Sequence, residues 1–499
     1  MWNYFEPIAV LVEQRSYRQA LEAASRQPVE FLSRPEVCEL DLCFQKIPRD
    51  EIRPLPAACI TALLLDLRLG RTASARQWHS QLVALRDACK EGSRERAAAS
   101  QYLCRAGLLM PEIDNAQVLL RLAICCNESG GRYALADPPR LSLTARRPSI
   151  LRGAKDFSEW GKNYRAVSSI IEPMLTALYG EKGSNIKSAA VAELLYEYND
   201  LNAATVEVAA ALSAALPEVV FAGLAQMIRI HQAGGANNQR IEELFHSIDT
   251  LISSSGADGL LPAAQALRVR SRMLCGDLEP VREWLKECGL GGVRLCPADS
   301  YELITKARAL IALGCLRDAL GLLEQISLLL RGDFRPLDTI ECLTLSAVAC
   351  ELLEERAMAL DKLEAALRLA SQYRYIRVIA DCGPVMLRLL SFLAREPERI
   401  SGLPERYLRA VGEAAQNCAM LFPRLFDPPR EESPSADLTS MELQILRLLE
   451  EGHTNRDIGG ILGIKLPTVK FHIANLFEKL GARNRTSAVR QAKGLGLLG

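Results

Sequence analysis

The chain has 499 residues, of which 49% are apolar and 6% aromatic, and its 60 Lys and Arg residues balance its 60 Asp and Glu residues. This composition excludes a disordered chain. Zero net charge argues against a protein that coats nucleic acid or membrane with its whole surface, so any nucleic-acid site must be local. The N-terminus shows no secretory signal pattern, and the longest apolar region, near 206–230, is interrupted by Glu207 and Pro217. We therefore expect a cytoplasmic protein without a membrane segment.

Fifteen cysteines are scattered along the chain, and no two of them have CxxC spacing. This pattern suits neither a disulfide framework nor a zinc ribbon, so we interpret most of them as small buried side chains. The neighbours Cys125 and Cys126, and the pair Cys38 and Cys43, are the places where a thiol switch is worth considering. The five dispersed histidines do not indicate a metal site. We expect no metal and no cofactor.

Apolar residues recur at intervals of three and four along most of the chain, for example in 320–326 and 358–367. This periodicity predicts helices. No run of alternating β-branched residues is long enough to found a sheet. The sequence therefore predicts an all-α protein.

A short pattern recurs in the middle of the chain: a polar or glycine turn, then a small residue about five positions later, then an apolar helix. It begins at Gly161, Asn199, Asn237, Gly276, Gly314 and Glu354. Successive starts are 38, 38, 39, 38 and 40 residues apart. Helix pairs with a period of about 34–47 residues are typical of a tetratricopeptide-like (TPR-like) α-solenoid. The alternative is that a chain rich in Ala and Leu gives such spacing by chance.

The first part of the chain shows a looser version of this pattern, at Gln14–Ala20 and Gly70–Ala75. We therefore predict an irregular helical-repeat region over 1–140. Prolines and a glycine break the periodicity between 136 and 157, which predicts a joint between two helical arrays. The solenoid is then assigned to 141–426.

The stretch 427–437 is proline-rich and charged and is the predicted linker. We call residues 438–499, which follow it, the C-terminal module. Cap and stop signals divide this module into four helices. These signals are Thr439 with Glu442, Thr454 with Asp457, Pro467, Asn484, and the glycines 452, 463 and 481. Two short helices joined by a glycine-containing turn predict a helix-turn-helix.

Charge is distributed unevenly within this region. Residues 465–499 contain seven Lys and Arg against one Glu, so their net charge is +6. Residues 437–464 contain two basic and five acidic side chains, so their net charge is −3. Basicity therefore gathers on the third and fourth helices, as phosphate binding requires.

Four short motifs occur in order in the C-terminal module: Thr454-Asn455, Thr-Val-Lys-x-His at 468–472, Lys-Leu-Gly at 479–481 and Arg-x-x-Ala-Val at 485–489. With these motifs the module resembles the DNA-binding domain of LuxR-type transcription factors. Two positions depart from the family. Met441 replaces a usual Arg and would remove an intradomain ion pair, and Lys465 replaces a usual Ser and adds charge where the recognition helix begins. The resemblance implies a four-helix LuxR-type helix-turn-helix domain that binds double-stranded DNA.

The solenoid is similar to the helical-repeat sensor region of large MalT-like regulators, at residues 276–285, 307–314 and 375–384. Those regulators normally begin with an ATP-binding module. Here no G-x-x-x-x-G-K-[ST] motif exists, because Gly161-Lys162 has neither the preceding glycine nor the following hydroxyl residue. Two explanations stay open: a relative that lacks the nucleotide switch, or a fragment of a longer protein.

These observations predict a sequence-specific bacterial transcriptional regulator whose helical repeats sense a small-molecule inducer or a partner protein, for which the concave face is the natural site. RNA polymerase is a further candidate partner, and paired half-sites would make the DNA-bound form a dimer. The alternative is a helical-repeat interaction scaffold whose helix-turn-helix does not bind DNA. An enzyme is not expected, since the sequence has no phosphate loop, nucleophile elbow, metal cluster or paired-carboxylate motif.

Candidate DNA contacts follow from the helical periodicity of the third helix. Val469, Ile473, Leu476 and Leu480 are predicted to face inward. The side chains left facing outward are Thr468, Lys470, Phe471, Ala474 and Asn475. Of these, Lys470 and Asn475 are predicted to read base edges, and Phe471 and Ala474 to make apolar contacts. The predicted phosphate contacts are Asn455, Thr468, Arg483 and Arg485, to which Lys465 adds charge. For His472 both a packing role and a DNA contact stay open.

Overall fold

The computed structural model describes residues 4–128, 141–180, 183–214, 216–235, 238–288, 299–426, 440–462, 464, 466–480, 482 and 484–494. The described residues form helices and loops, with a single isolated antiparallel bridge between Arg152 and Asp156. The all-α prediction is confirmed. The chain divides into two compact units, Met1–Asp427, which we call the N-terminal unit, and Pro428–Gly499, which contains the C-terminal module. The predicted linker, 427–437, lies outside the described residues.

The N-terminal unit begins with helices α1 (Glu6–Glu13), α2 (Tyr17–Ser25), α3 (Arg34–Gln45), α4 (Arg49–Ile52), α5 (Pro56–Arg68), α6 (Thr72–Ala88), α7 (Arg94–Leu109) and α8 (Asn115–Glu128). The two turns predicted in this region are present. Arg15 and Gly70 occupy them with positive φ, and both predicted small residues, Ala20 and Ala75, are fully buried. Burying a small side chain at this point lets two helices approach closely.

The same unit continues with α9 (Ser158–Gly161), α10 (Tyr164–Tyr179), α11 (Ser184–Glu197), α12 (Leu201–Ala211), α13 (Pro217–Ala233), α14 (Asn238–Ser255), α15 (Leu261–Leu274), α16 (Glu279–Glu287), α17 (Ser300–Ala312), α18 (Leu316–Leu329), α19 (Pro336–Leu352), α20 (Arg356–Tyr373), α21 (Arg377–Ala380), α22 (Gly383–Leu393) and α23 (Glu405–Leu421). A short 3₁₀ turn at Asp258–Leu260 precedes α15. The C-terminal module follows with α24 (Ser440–Glu450), α25 (Asn455–Leu462), α26 (Leu466–Lys479) and α27 (Arg485–Gly494).

The predicted repeats are real from α11 to α20. Each helix pair turns at a residue with positive φ: Asn199, Gly235, Gly276, Gly314 and Glu354. The start predicted at Asn237 lies outside the described residues, two positions after Gly235. The small residues that follow four of these turns, Ala204, Val281, Ala319 and Ala359, are fully buried. The pattern does not extend to Gly161, because Ala166 is exposed.

The two helices of each repeat differ in burial. The first helices, which we call the inner helices (α11, α13, α15, α17 and α19), bury residues around most of their circumference. The second helices bury one stripe; in α18 it consists of Ala319, Leu323 and Ile326. The inner helices therefore have protein on two sides, namely the second helices and whatever occupies the inside of the solenoid.

Residues 141–157 of the same chain occupy the inside of the solenoid, and we call them the central segment. The sequence predicts a joint here, and the segment is indeed non-helical, yet nearly all of its residues are buried. Gly153 sits at its tightest point, where a Cβ would lie 2.2 Å from the carbonyl oxygen of Leu143. Much of the inner face, which the sequence suggests as a ligand groove, is thus already covered.

Carboxylates of the inner helices hold the central segment. Glu193 accepts hydrogen bonds from the Ser149 hydroxyl and from the Ile150 N–H (2.7 Å). Glu218 accepts hydrogen bonds from the hydroxyls of Ser142 (2.6 Å) and Thr144 (2.5 Å). These contacts satisfy polar groups that would otherwise be costly to bury.

Ion pairs complete this attachment. Asp338 of α19 lies 3.0 Å from Arg147 and 2.7 Å from Arg335. Arg335 in turn donates to the carbonyl oxygens of Arg152 (3.0 Å), Gly153 (3.1 Å) and Ala154 (3.3 Å). A backbone without regular structure is thereby fixed by a single buried guanidinium.

The first eight helices contact the central segment as well. Lys155 donates to the carbonyl of Met110 (2.6 Å), and the Asn115 side chain donates to the carbonyl of Asp156 (2.7 Å). The central segment is therefore the common interior of both helical arrays.

The end of the solenoid meets its beginning beside this interior. Its last short helix, α21, meets its first inner helix, α11, through hydrogen bonds from the N–H of Ile376 to the carbonyl of Glu197 (2.7 Å) and from the N–H of Val378 to the Glu197 carboxylate (2.9 Å). Tyr196 donates to Asp381 (2.7 Å) at the same junction.

Three of the four cysteines considered for a thiol switch, Cys43, Cys125 and Cys126, have raised pKa values. Eight of the 14 described free cysteines are buried, and burial raises the pKa of Cys125 to about 12 and also raises those of Cys126 and Cys43. Protonated thiols are poor nucleophiles, so a thiol switch at these positions is not favoured. In the described part of the chain, no helix is both long and apolar enough to span a membrane.

Candidate nucleic-acid interface

The C-terminal module has an apolar core to which all four of its helices contribute. Its fully buried side chains include Leu446, Ile458, Val469, Leu476 and Ala488. Ile445 is fully buried as well. Ile461 of α25 is 54% exposed despite its apolar side chain.

Helix α25 begins with the predicted cap. The N–H of Thr454 donates to the Asp457 carboxylate (2.9 Å), the Thr454 hydroxyl donates to the same oxygen (2.7 Å), and the Asp457 N–H donates back to the hydroxyl (3.3 Å). These hydrogen bonds lower the pKa of Asp457. The cap predicted from Thr454 and Asp457 is confirmed, and the Asn484 side chain likewise accepts a hydrogen bond from the Ser487 N–H (2.9 Å) before α27. Thr439, also predicted as an N-cap, lies outside the described residues.

The turn between α25 and α26 depends on a residue that sequence reasoning missed. A Cβ at Gly459 would lie 2.9 Å from the carbonyl oxygen of Ile464 and 3.5 Å from Val469. The Gly459 carbonyl also accepts a hydrogen bond from the Ile464 N–H (3.0 Å). The adjacent glycines 459 and 460 were the available signal, because helix interiors disfavour glycine without a packing reason.

Helix α26 presents one face to the core and another to solvent. Val469, Ile473, Leu476 and Leu480 are buried, as predicted. Thr468, Lys470 and Ala474 are exposed. Because Lys470 and Ala474 are four residues apart, they lie on the same helix face, where both can reach a ligand at once.

Two predicted phosphate contacts lie at helix N-termini. Asn455 is the first residue of α25, and Thr468 is in the first turn of α26. Helix N-termini present unpaired N–H groups and the positive end of the helix dipole. These positions suit contacts to phosphate oxygens.

Arg485 has partners within the module. Its guanidinium donates to the carbonyl oxygens of Leu449 and His453, both at 2.6 Å. Lys493 on the same helix lies 2.8 Å from Glu450. Both cations therefore tie α27 to the C-terminal end of α24, where positive charge is favourable. The phosphate contact predicted for Arg485 remains a prediction. The hydrogen bonds to Leu449 and His453 give this side chain a second role, which is to hold α27 against α24.

Several predicted site residues cannot be placed. Lys465 and Arg483 lie outside the described residues, and the side chains of Phe471 and Asn475 are not described although their backbones belong to α26. His472 is half-buried. Of the two departures from the family pattern, Met441 packs against the module core.

Comparison with known proteins gives matches in both units. A family model described as "MalT-like TPR region" matches residues 181–396, and one described as "Bacterial regulatory proteins, luxR family" matches residues 436–492. These matches confirm both resemblances recognised in the sequence. The second description names a family of bacterial regulatory proteins.

Curated relatives share part of the chain. A protein of Serratia proteamaculans (strain 568) named "HTH-type transcriptional regulator MalT" is 29% identical over 274 residues, which cover 52% of this chain and 29% of the relative. Proteins of the same name from Yersinia enterocolitica and from Yersinia pestis (strain Pestoides F) are each 28% identical over 242 residues, covering 46% of this chain and 26% of the relative. The matched region thus spans less than a third of these relatives.

Proposed function

We propose that this chain, which carries a MalT-like TPR region and a luxR-family DNA-binding domain, is a sequence-specific transcriptional regulator. In this proposal the C-terminal module reads an operator and the helical repeats receive a small molecule or a partner protein. The observation that carries this proposal is the solvent-exposed face of α26, the second helix of the helix-turn-helix, on which Lys470 lies. The relatives named MalT support it through their printed function.

The proposed mechanism has two kinds of contact. Helix α26 enters the major groove, where Lys470 and Asn475 read base edges and Phe471 and Ala474 make apolar contacts. Asn455 and Thr468 hold phosphates at the two helix N-termini, with Lys465, Arg483 and Arg485 as further phosphate contacts. Two modules would bind paired half-sites, so the DNA-bound form would be a dimer, and RNA polymerase is the partner expected next to an operator.

The test is selection of duplexes by the full chain from a random pool, followed by binding measurements at several salt concentrations. We expect a preferred sequence and an affinity that falls steeply between about 50 and 200 mM salt. Binding without salt dependence or sequence preference would instead support an interaction scaffold whose helix-turn-helix does not bind DNA.

Lys470→Ala sharpens this test. If Lys470 reads a base, its loss costs about 1–3 kcal/mol on the preferred site and relaxes specificity at one position. The matched control is Lys362→Ala, which removes an exposed lysine from α20 of the N-terminal unit. A loss of affinity for K470A that is equal on all sequences would show a phosphate contact and contradict base reading.

A further inference from the structure

A cavity of about 110 Å³ lies within the solenoid, beside the central segment. Five arginines line it: Arg152, Arg229, Arg270, Arg308 and Arg377. We call it the arginine cavity. A single water needs roughly 10–15 Å³ of such space, so there is room for a small organic molecule.

Three of these arginines occupy the same position in successive repeats. Arg229 of α13, Arg270 of α15 and Arg308 of α17 each stand six residues before the positive-φ residue of their repeat, Gly235, Gly276 or Gly314. The superhelical arrangement therefore brings equivalent side chains of three inner helices to one place. Arg152 joins them from the central segment and Arg377 from α21.

Acidic partners in the cavity are fewer than the guanidinium groups. One carboxylate, Glu341, serves three arginines, at 2.5 Å from Arg152, 2.8 Å from Arg270 and 2.7 Å from Arg308. These three cations hold the pKa of Glu341 well below its usual range even though burial opposes its charge. One negative charge cannot neutralise three positive ones.

The remaining carboxylates do not remove this excess. Glu197 pairs with Arg229 at 2.7 Å and Asp381 pairs with Arg377 at 2.8 Å. Burial raises the pKa of Glu193 to about 7, so this side chain is only partly ionised near neutral pH. Arg152 also lies 3.8 Å from Asp338, but Asp338 already pairs with Arg147 and Arg335. Five guanidinium groups thus line the cavity with four carboxylates, one of which, Glu193, is partly protonated near pH 7.

The guanidinium groups are held in place before any ligand arrives. Arg229 lies over the ring of Tyr196 at 4.1 Å, and Arg270 lies over the ring of Tyr301 at 4.3 Å. The Nε of Arg377 is buried without a hydrogen-bond partner, in a side chain that is 3% exposed. Preorganised donors around a cavity lower the entropic cost of binding a carboxylate or phosphate, which guanidinium groups recognise through paired hydrogen bonds.

We infer that the arginine cavity binds a small molecule bearing a carboxylate or phosphate group. If the chain is a regulator, as proposed above, this anion is the input that it senses. Binding of the anion to the cavity does not depend on that proposed function. The anion supplies the negative charge that the lining lacks, and it contacts the inner helices, the central segment and α21 together. The N-terminal unit is therefore more stable against unfolding with the anion bound than without it.

The experiment measures thermal unfolding and calorimetric binding of the full chain with inorganic phosphate or succinate, at an ionic strength kept constant with chloride. We expect one of the two anions to bind and to raise the Tm of the N-terminal unit; the two arms separate phosphate from carboxylate recognition. Arg308→Gln should weaken this binding at least tenfold. Arg317→Gln, which removes an arginine 72% exposed on α18, should leave it unchanged.

Glu341→Gln gives an independent readout that does not require loss of binding. Without anion it lowers the Tm, because three arginines lose their shared partner. With the anion its Tm should rise by more than that of the wild type, since the ligand replaces the missing carboxylate. If R308Q does not fold, the inference is tested by anion binding to the wild type and by the Tm of E341Q with and without the anion.

The inference fails if neither anion binds the wild type, if R308Q and R317Q respond alike, or if the anion does not restore E341Q. DNA affinity measured in the same buffers separates this outcome from the proposed function. Failure of anion binding leaves DNA recognition by the C-terminal module intact. Loss of DNA recognition, conversely, leaves the anion titration unaffected.

Discussion

The interior of the N-terminal unit contains many charged side chains, whereas the interior of the C-terminal module is apolar. Around the central segment, Arg147, Arg335, Asp338 and Glu341 are all buried. In the described part of the module, Glu442 is the one buried charged side chain. Apolar packing suffices for four short helices, but a non-helical segment needs directional partners for its backbone groups, since these would otherwise be buried without hydrogen bonds.

The difference predicts where mutations act. In the N-terminal unit, removing one charged side chain should leave its partners buried without a counter-charge and so destabilise the fold. In the C-terminal module, charges at the surface can change with little effect on folding, so they are available for DNA. Four predictions test this contrast, from the largest expected effect to the smallest.

Arg335→Ala should give the largest effect. It leaves Asp338 short of a partner and removes the donors to three carbonyls of the central segment, so we expect a loss of about 3–5 kcal/mol of unfolding free energy. Urea unfolding of the full chain measures it. Arg409→Ala is the control, since Arg409 is 68% exposed in its pair with Glu405 and such pairs contribute about 0–1 kcal/mol. Equal effects of the two variants would contradict the structural role of the buried arginine.

Leu476→Ala should give the largest effect in the C-terminal module. Leu476 is fully buried in the module core, so truncation leaves a cavity and costs about 2–5 kcal/mol. We expect the module to unfold at lower temperature while the unfolding of the N-terminal unit stays unchanged. Leu466→Ala, at a position 38% exposed, is the control. A shift of both transitions by L476A would show that the units do not fold separately.

Glu193 should make the stability of the N-terminal unit depend on pH. Burial raises its pKa to about 7 in the folded state, against 4.5 for an ordinary Glu, so the folded chain retains a proton that the unfolded chain has lost. Stability should therefore fall as pH rises from about 4.5 to 7, by at most about 1.4 kcal/mol per pH unit, and then level off.

Glu193→Gln tests this sign. The variant cannot ionise, so its stability should fall less steeply with pH over the same window in urea unfolding. Glu172→Gln, on the exposed side of α10, is the control and should keep the slope of the wild type. A wild-type slope in E193Q would mean that another group titrates. Asp156, whose pKa burial also raises to about 7, would then be the next variant.

Arg485→Ala should give the smallest change in stability. This variant also distinguishes between the two roles of Arg485, a framework residue or a phosphate contact. If it is a framework residue, losing its hydrogen bonds to Leu449 and His453 destabilises the module by about 1–3 kcal/mol and leaves the salt dependence of DNA binding unchanged. If it contacts a phosphate, the slope of log K against log salt becomes shallower by about 0.9. Arg490→Ala, an exposed arginine on the same helix, is the matched comparison.

The sequence predicts much of the C-terminal module, because caps, glycine stops and helical periodicity are local signals. Thr454 with Asp457, and the buried stripe from Val469 to Leu480, are where the sequence places them. Gly459 and Arg485 were harder to interpret. Their roles depend on a carbonyl across a turn and on the end of another helix, and neither partner is marked by sequence spacing.

In the N-terminal unit, the sequence by itself determined the repeats from α11 to α20, since a polar or glycine turn recurs with each helix pair and a small residue follows four of the five turns. What only the tertiary structure decided is what lies inside them. Arg147 meets Asp338 across 191 residues, and Arg152 meets Glu341 across 189. Such contacts follow from the closing of the superhelix, which brings distant polar residues into one desolvated interior. Nothing in the local pattern of a proline-broken stretch distinguishes a buried segment from an exposed joint, because both lack helical periodicity and differ only in their distant partners.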